Sequence, residues 1–329
     1  MRIWEIYKLA IEMGIDADPR GRAAVAEQLE ELRETYAELP ADEQELFDKE
    51  LLHNPYPDSR LLWGNPEQEV RHIFLGIDID PSELLLVDRL NQKGAGIDLV
   101  IAHHPVGVAL TTLHMAMELQ TEVFAGCGVH VNVAEQMLQT EASKTAQDIV
   151  VGNYNRTVDA ARLLELSLLC VHTPADNLVQ AFWEQRFKAE APRKISQIMK
   201  LLQQEPEYAE AAHYHAGPSL LAGRESNRPG RIMVDMTGGT DAGPRLYERL
   251  GHAGIGTVVA MHMSAGTLDV LSAQHINVIL AGHMSSDSLG LNLFLDEIEK
   301  RGVKVTAGAG LKRHRRFVLE QSHPAEPRA

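Results

Sequence analysis

The stretch DLVIAHHP at residues 98–105 decides the fold class of this chain. Four apolar residues, Leu99 to Ala102, lead into two histidines, His103 and His104, and a proline. Short runs of valine, isoleucine and leucine are typical of parallel strands covered on both faces, and the ligands of such sheets gather beyond the carboxyl ends of the strands. The segment therefore predicts a buried strand that ends in side chains suited to a metal.

Two later segments repeat this pattern of an apolar run followed by metal-binding residue types. LLCVHTPAD at 168–176 ends in Asp176, and VILAGHMSSD at 278–287 carries His283 and Asp287. If the three strands end at one crevice, their imidazoles and carboxylates form the mixed N/O set that suits zinc, iron or manganese. Five side chains exceed the needs of one closed site, so we predict two divalent metal ions. The predicted ligands are His103, His104, Asp176, His283 and Asp287.

The spacing of apolar residues divides the chain into three units. Residues 1–60 have helical spacing and predict a helical N-terminal extension. From residue 73 onwards strands and helices alternate, and a loop-rich stretch at 216–230 marks a boundary. We therefore predict an α/β fold with two α/β lobes, residues 61–215 and 216–329, whose largely parallel sheets face a central metal crevice.

The three segments resemble those of the NGG-one-interacting-factor-three-like family, which is also described as GTP cyclohydrolase I type 2 homologues or as dinuclear metal-binding proteins. DLVIAHHP, LLCVHTPADN and INVILAGHMSSD are similar to the family's HHP, HTxxD and GHxxxE segments. The resemblance implies metal-ligand roles for the same five residues, although the family usually has glutamate where Asp287 stands. It extends from about residue 73 to residue 305. The stretch before Arg60 and the segment 106–156 fit it poorly, and they look like an extension and a helical insertion.

A metal-dependent hydrolase is the function that these features favour. Two metals can lower the pKa of a bridging water and polarise the bond that it attacks, which suits hydrolysis of a nucleotide or of another phosphate-bearing small molecule. The competing hypothesis is a metal-binding oligomeric scaffold, or partner-binding protein, without turnover. For either function the resemblance implies a homo-oligomer, with a ring-like hexamer as the assembly that family members form.

A glycine-containing turn, MTGGTD at residues 236–241, follows a predicted strand and precedes a predicted helix. The backbone N–H groups of Gly238, Gly239 and Thr240 could hold a phosphate of the substrate. A tight turn that needs glycine only for its backbone conformation is an equally good interpretation.

Several candidate site residues also have purely structural interpretations. Asp176 suits the cap of the following helix, and Asp287 suits the cap of a helix that begins at Leu289. Asp78 and Asp80 could orient imidazoles, but a cap before Pro81 is the interpretation that we favour for this pair. His262 ends another predicted strand and could line the same crevice.

Composition limits the remaining possibilities. A chain of 329 residues with 44% hydrophobic residues can bury a large core, and its formal charge of −15 argues against nucleic-acid binding. The basic segment at residues 312–316 is expected to be a solvated end of an element. Apolar runs are too short to cross a membrane, and Cys127 and Cys170 are too few for a disulfide framework. These features predict a cytoplasmic protein with a small-molecule substrate.

Overall fold

A computed structural model describes residues 1–318 of the protein and has the predicted α/β fold. Its strands are β1 (Leu61–Trp63), β2 (His72–Gly76), β3 (Leu99–Ala102), β4 (Ser167–Cys170), β5 (Ser219–Ala222), β6 (Arg231–Asp235), β7 (Ile255–Ala260), β8 (Asn277–Leu280) and β9 (Lys304–Gly308). Its first helices are α1 (Ile3–Asp16), α2 (Arg22–Glu38), α3 (Ala41–Leu46), α4 (Pro81–Gln92), α5 (Val108–Thr111), α6 (Leu113–Ala116), α7 (Leu119–Gly126) and α8 (Val131–Ile149). The later helices are α9 (Arg156–Leu163), α10 (Thr173–Glu190), α11 (Ile195–Gln204), α12 (Pro206–His213), α13 (Pro244–His252), α14 (Ala265–Ala273) and α15 (His283–Lys300).

The strands form two sheets. The first sheet has the order β1-β4-β3-β2-β9, and the second has the order β5-β8-β7-β6. Only the edge strands β1 and β5 are antiparallel to their neighbours among the described residues. The carboxyl ends of β3 and β4 therefore lie at one edge of the first sheet, which confirms the largely parallel arrangement.

Both faces of each sheet are buried, as the continuous apolar strands predict. Alternate residues of β3 point to opposite faces: Leu99 and Ile101 join a cluster with Ile6 of α1 and Phe294 of α15, whereas Val100 packs with α4 and α9. In the second sheet, one face packs against α10, α11 and α12, and the other packs against α13, α14 and the helices α7 and α8.

Two long helices, α10 and α15, contact the cores of both sheets. Ala175 of α10 and Leu291 of α15 belong to the core of the first sheet, while Trp183 and Leu289 belong to the core of the second. Gly290 lies so close to α10 that an added Cβ would overlap the carbonyl oxygen of Ala175. The pair therefore links the two sheets, and residues at its amino ends lie between them.

The predicted unit boundaries stay a prediction, but the packing adds detail to them. Helix α1 of the extension buries Ile3, Ile6 and Ala10 against the first sheet instead of standing apart. The insertion is helical, and Phe124 packs in the same core as Tyr247 of α13. Strand β9, which lies in the range predicted for the second lobe, pairs in parallel with β2 of the first sheet. Pairing with β2 satisfies the backbone groups of both strands.

The basic segment at residues 312–316 is solvated at Lys312 and Arg315, whose side chains are 49% and 44% exposed, but the expectation of a solvated end is wrong for Arg313 and Arg316. Arg313 forms ion pairs with Asp296 and Glu299, and Arg316 pairs with Glu207 at 2.7 Å. These carboxylates lie on α12 and α15 and are largely buried, so they need cationic partners. Within residues 1–318 we find no helix with the length and apolar character needed to cross a membrane.

Candidate metal centre

Strand β3 delivers two histidines to the carboxyl edge of the first sheet. His103 is fully buried, and its Nδ1 donates to the carbonyl oxygen of Val171 over 2.9 Å. His104 donates from Nδ1 to Asp78 Oδ1 over 2.7 Å. Because a carbonyl and a carboxylate only accept, each Nδ1 carries a proton, and in the neutral imidazole Nε2 then keeps its lone pair. Both imidazoles are therefore fixed in a form that can bind a metal through Nε2.

The neighbouring strand β4 leads into the second pair of candidate ligands. His172 is the residue before α10, and Asp176 lies in the first turn of that helix. Asp176 is only 4% exposed although it carries a carboxyl group. A histidine and an aspartate four residues apart share one face at the start of a helix. This spacing directs His172 Nε2 and Asp176 Oδ2 toward each other, 3.7 Å apart.

Helix α15 supplies the third pair with the same spacing. It begins at His283, six residues before the predicted start at Leu289, with Gly282 at φ 116° as the residue before it. Asp287 therefore lies in the second helical turn and not at a cap, so the capping interpretation of this residue is wrong. His283 Nε2 lies 3.7 Å from Asp287 Oδ2, and Asp287 is 1% exposed.

These side chains form one group, which we call the His–Asp cluster. Its members are His103, His104, His172, Asp176, His283 and Asp287. His103 Nε2 lies 3.5 Å from both Asp176 Oδ1 and Asp287 Oδ1, and His104 Nε2 lies 3.5 Å from Asp287 Oδ2. Ligands at about 2.0–2.1 Å from a tetrahedral zinc are roughly 3.4 Å apart, so these separations match those expected of ligand atoms around one ion.

The polar atoms of this cluster test whether the residues fit a metal. Five of them are buried without a hydrogen-bond partner among the described residues: His103 Nε2, His104 Nε2, Asp176 Oδ1 and both carboxylate oxygens of Asp287. Leaving one buried acceptor unsatisfied costs about 1–3 kcal/mol, and more for a charged group. Two overlapping sets, one with His103, His172 and Asp176 and one with His103, His104 and Asp287, could each hold an ion. This donor set therefore fits a divalent metal.

The pKa values in the cluster are strongly shifted. Burial alone would raise the pKa of Asp287, but the adjacent His103 holds it well below its usual range. Burial, with the negative charge of Asp287, raises the pKa of Asp176 well above its usual range. Burial lowers the pKa of His283 to about 4. The charge on Asp287 thus opposes ionisation of Asp176, and a cation between the two carboxylates would favour the charged form of Asp176.

Asp78 and Asp80 have different roles: one orients an imidazole and the other caps a helix. Asp78 orients His104, as described above. Asp80 forms a capping box at the start of α4, and its backbone N–H donates to Glu83 over 2.9 Å. The cap that we favoured is therefore confirmed for Asp80, whereas Asp78 is a partner of an imidazole.

The glycine-containing turn lies beside the His–Asp cluster. Gly239 and Thr240 line a small cavity together with His172, Asp176 and His283. Gly238 and Gly239 have φ values of 100° and 83°, which glycine adopts without strain. The Thr240 N–H donates to the Gly238 carbonyl over 3.0 Å, and helix α13 starts only at Pro244. A phosphate-binding role for the turn stays a prediction.

The five residues predicted from sequence lie together, and their role as ligands stays a prediction. His172 was missed as a candidate, although its spacing to Asp176 repeats that of His283 to Asp287 and could have revealed it. His262 lines the cavity, and its ring centroid is 5.0 Å from that of His283. Cys170 is fully buried, as expected of a thiol that fills the core.

Comparison with solved structures identifies proteins of similar fold. A NIF3 superfamily protein from Sphaerobacter thermophilus matches with a TM-score of 0.72 and 25% identity, over 93% of this chain and 98% of that protein. HcgD from Methanocaldococcus jannaschii, in its reduced form, matches with a TM-score of 0.46 and 14% identity over 86% of this chain and 96% of its own. A Bacillus cereus protein related to NIF3 has a TM-score of 0.41 and 10% identity over 80% and 92%, respectively. Neither a protein-family model nor a curated protein matches the sequence.

Proposed function

We propose a function for this chain on the premise that it belongs to the NIF3 (NGG-one-interacting-factor-three-like) superfamily. The chain is a dinuclear metal-dependent hydrolase of a nucleotide or related phosphate-bearing small molecule. The observation that carries the proposal is a set of five buried nitrogen and oxygen atoms in the His–Asp cluster that have no hydrogen-bond partner within residues 1–318. Buried polar atoms are otherwise almost always paired, so a shared cation explains all five together.

The ligands divide between two ions. His103 has only Nε2 available, because its Nδ1 is bonded to a backbone carbonyl, so it can bind one ion. We assign His103, His172 and Asp176 to one ion, and His104, His283 and Asp287 to the other. Imidazole nitrogen and carboxylate oxygen suit zinc, iron or manganese. Bound there, two metals would supply an acidified water and a Lewis acid for the scissile bond.

The surroundings of the ligands support a phosphate-bearing substrate. His283 keeps 41% of its side chain exposed, so the cluster is open on the side of α15. Gly239 and Thr240 of the glycine-containing turn line the same cavity as His262, and we infer that the Gly239 N–H and a ring nitrogen of His262 donate to an anion there. The chain has a formal charge of −15, which repels an anionic substrate. Divalent cations at the cluster would reduce this repulsion locally.

Metal content and turnover test this proposal directly. The wild-type protein, loaded with zinc, iron or manganese, should hold about two ions per chain by elemental analysis, and His104→Ala or Asp176→Ala should lose them. His213→Ala, an exposed histidine at the end of α12, serves as the control and should retain both. GTP, other nucleotides and simple phosphate esters form the substrate panel. Metal content near zero in the wild type would overturn the proposal.

A metal-binding oligomeric scaffold without turnover is the second candidate function. It is favoured by exposed apolar side chains around the insertion and α9, where Val151 is 86% exposed and Leu163 is 72% exposed. Such residues suit contacts between copies of the chain, as in the hexamer that the family resemblance implies. Light scattering of the metal-loaded protein measures the assembly. Two bound metals with no hydrolysis across the panel would favour this candidate over the hydrolase.

A further inference from the structure

Asp58, at the end of the N-terminal extension, lies fully buried against the His–Asp cluster. Its Oδ2 accepts a hydrogen bond from His172 Nδ1 over 2.8 Å and another from the Thr173 hydroxyl over 2.6 Å. Its Oδ1 accepts from the Ser59 hydroxyl over 3.2 Å. A carboxylate with three donors and no exposure is held in one position, and one of these donors belongs to a candidate metal ligand.

The backbone around Asp58 is fixed to the first sheet. Arg60 and Cys170 exchange two backbone hydrogen bonds, of 3.0 and 2.8 Å, so the chain after Asp58 pairs with the end of β4. The backbone N–H of His172 donates to the Ser59 hydroxyl over 2.9 Å, and Cys170 Sγ donates to the Asp58 carbonyl over 3.2 Å. These bonds set the distance between the Asp58 carboxylate and the His172 ring.

The bond to Asp58 determines which nitrogen of His172 can bind a metal. A carboxylate only accepts, so Nδ1 carries the proton and Nε2 keeps its lone pair. Nε2 faces Asp176 Oδ2 at 3.7 Å, and the His172 ring centroid is 4.9 Å from that of His103. A carboxylate at Nδ1 also makes the imidazole a stronger ligand, and loss of such a partner costs about 10–100-fold in metal affinity.

We propose that Asp58 is a positioning residue of the metal centre, which holds His172 with Nε2 toward Asp176 and so completes one ligand set from the N-terminal extension. This inference rests on the metal binding proposed above. It gives residues 1–60 a part in the chemistry of the site, although they lie outside the segments that predict the metal ligands. The same carboxylate also accepts from Thr173, so it fixes the start of α10, which carries Asp176.

The tautomer of His172 in the wild-type protein gives the first test, and it needs neither metal nor a variant. Two-bond ¹⁵N–¹H correlation spectra of the metal-free protein distinguish an Nδ1–H imidazole from an Nε2–H one, and His172→Ala assigns the signal. We expect the Nδ1–H form. A neutral His172 with its proton on Nε2 would overturn the inference, whatever the metal content.

Cobalt(II) binding, followed by its visible absorption, gives the second test. Asp58→Ala should weaken cobalt binding by about 10–100-fold and change the absorption spectrum. Asp58→Asn should weaken it less, because the amide oxygen can still accept from Nδ1 but carries no charge. Asp48→Asn is the control, since this carboxylate lies in the same extension and pairs with Arg60 instead of with a histidine. It should leave the cobalt affinity unchanged.

A double-substitution experiment separates positioning from general stabilisation. If Asp58 acts through His172, Asp58→Asn should lower cobalt affinity in the wild type but not in the His172→Ala background. An equal loss in both backgrounds would contradict the inference while leaving the metal centre intact. Wild-type protein that binds no cobalt would instead overturn the proposed function, and this inference with it.

Discussion

At the residue scale, the His–Asp cluster uses one local arrangement twice. His172 and Asp176 at the start of α10 have the same four-residue spacing as His283 and Asp287 at the start of α15. Each pair places an imidazole and a carboxylate on one helical face, directly after a buried strand. The geometry thus depends on short segments, and single substitutions can test each ligand.

Asp287→Asn tests the residue that departs from the family's glutamate. Asparagine matches the shape of aspartate but brings no charge to a metal, so we expect zinc affinity to fall by at least the roughly 10–100-fold typical of losing a ligand's partner. Competition with a chromophoric chelator measures the affinity, and circular dichroism checks the fold. Zinc affinity equal to that of the wild type would show that Asp287 is not a ligand.

Asp235 at the end of β6 should make stability depend on pH. Burial raises its pKa to about 7 in the folded protein, whereas the usual value is about 3.9. The folded state therefore binds more protons between these pH values, and the contribution of Asp235 to stability falls as pH rises from about 4 to about 7. Asp235→Asn lacks this titration and keeps an oxygen that can accept the hydrogen bond from Tyr247.

The free energy of unfolding in urea, measured with a chelator present between pH 5 and pH 8, checks this prediction. The variant should gain stability relative to the wild type as pH rises, by at most about 1.4 kcal/mol per pH unit. Asp269→Asn, which neutralises an exposed carboxylate on α14, controls for the change in net charge. A stability difference that is constant across the pH range would contradict the pKa shift of Asp235.

At the element scale, the close packing of α10 and α15 sets the distance between two candidate ligands. Asp176 lies on α10 and Asp287 on α15, and His103 Nε2 is 3.5 Å from a carboxylate oxygen of each. Gly290 allows this approach because a Cβ there would overlap the Ala175 carbonyl oxygen. A displacement of either helix would therefore move one carboxylate away from the cluster.

Gly290→Ala should push the two helices apart. We expect a loss of about 1–3 kcal/mol in the free energy of unfolding, as for other overpacked cores, together with weaker zinc binding. Gly126→Ala in α7 is the matched control, because no atom lies within 4 Å of its added Cβ. It should be neutral, or stabilising by up to about 1 kcal/mol. Equal stability of the two variants in urea would refute this account of the helix packing.

At the scale of the whole molecule, the cluster joins segments that are far apart in sequence. Its ligands follow β3 and β4 of the first sheet and β8 of the second, and α10 and α15 contact both cores. A metal that binds only this assembled arrangement stabilises the fold as a whole by mass action. Metal binding and global stability should therefore be coupled.

Removing the metal should lower the melting temperature. A single ion present at 100 times its Kd adds about 2.7 kcal/mol to the free energy of unfolding, and a second ion adds more. Differential scanning calorimetry of the zinc-loaded and the chelated protein measures the difference. His104→Ala serves as the control and should respond weakly to zinc. A wild-type melting temperature that does not change with zinc would contradict this coupling.

The sequence by itself determined the three strands that lead to the candidate ligands, the largely parallel sheets and the gathering of five candidate ligands, but β5 lies within the stretch 216–230 that was predicted to be loop-rich. Leu99–Ala102 is a strand with the predicted bounds, because a short apolar run of this kind is typical of a parallel strand that is buried on both faces. The position of His103 and His104 could also be predicted, because they come directly after this strand and the carboxyl ends of parallel strands lie at one edge of a sheet. The spacing of apolar residues along short segments carries this information, so it can be read without any tertiary contact.

Only the tertiary structure decided which distant segments complete the site and the core. Asp58 contacts His172 across 114 positions of sequence, β9 pairs with β2 although most of both predicted lobes separates them in sequence, and Arg313 and Arg316 pair with buried carboxylates on α12 and α15. None of these contacts has a periodic signal, because an aspartate or arginine in a loop looks the same whether it is solvated or buried. Burial decides between the two states, since a buried charge or backbone group needs a partner and takes the one that the packed chain brings to it.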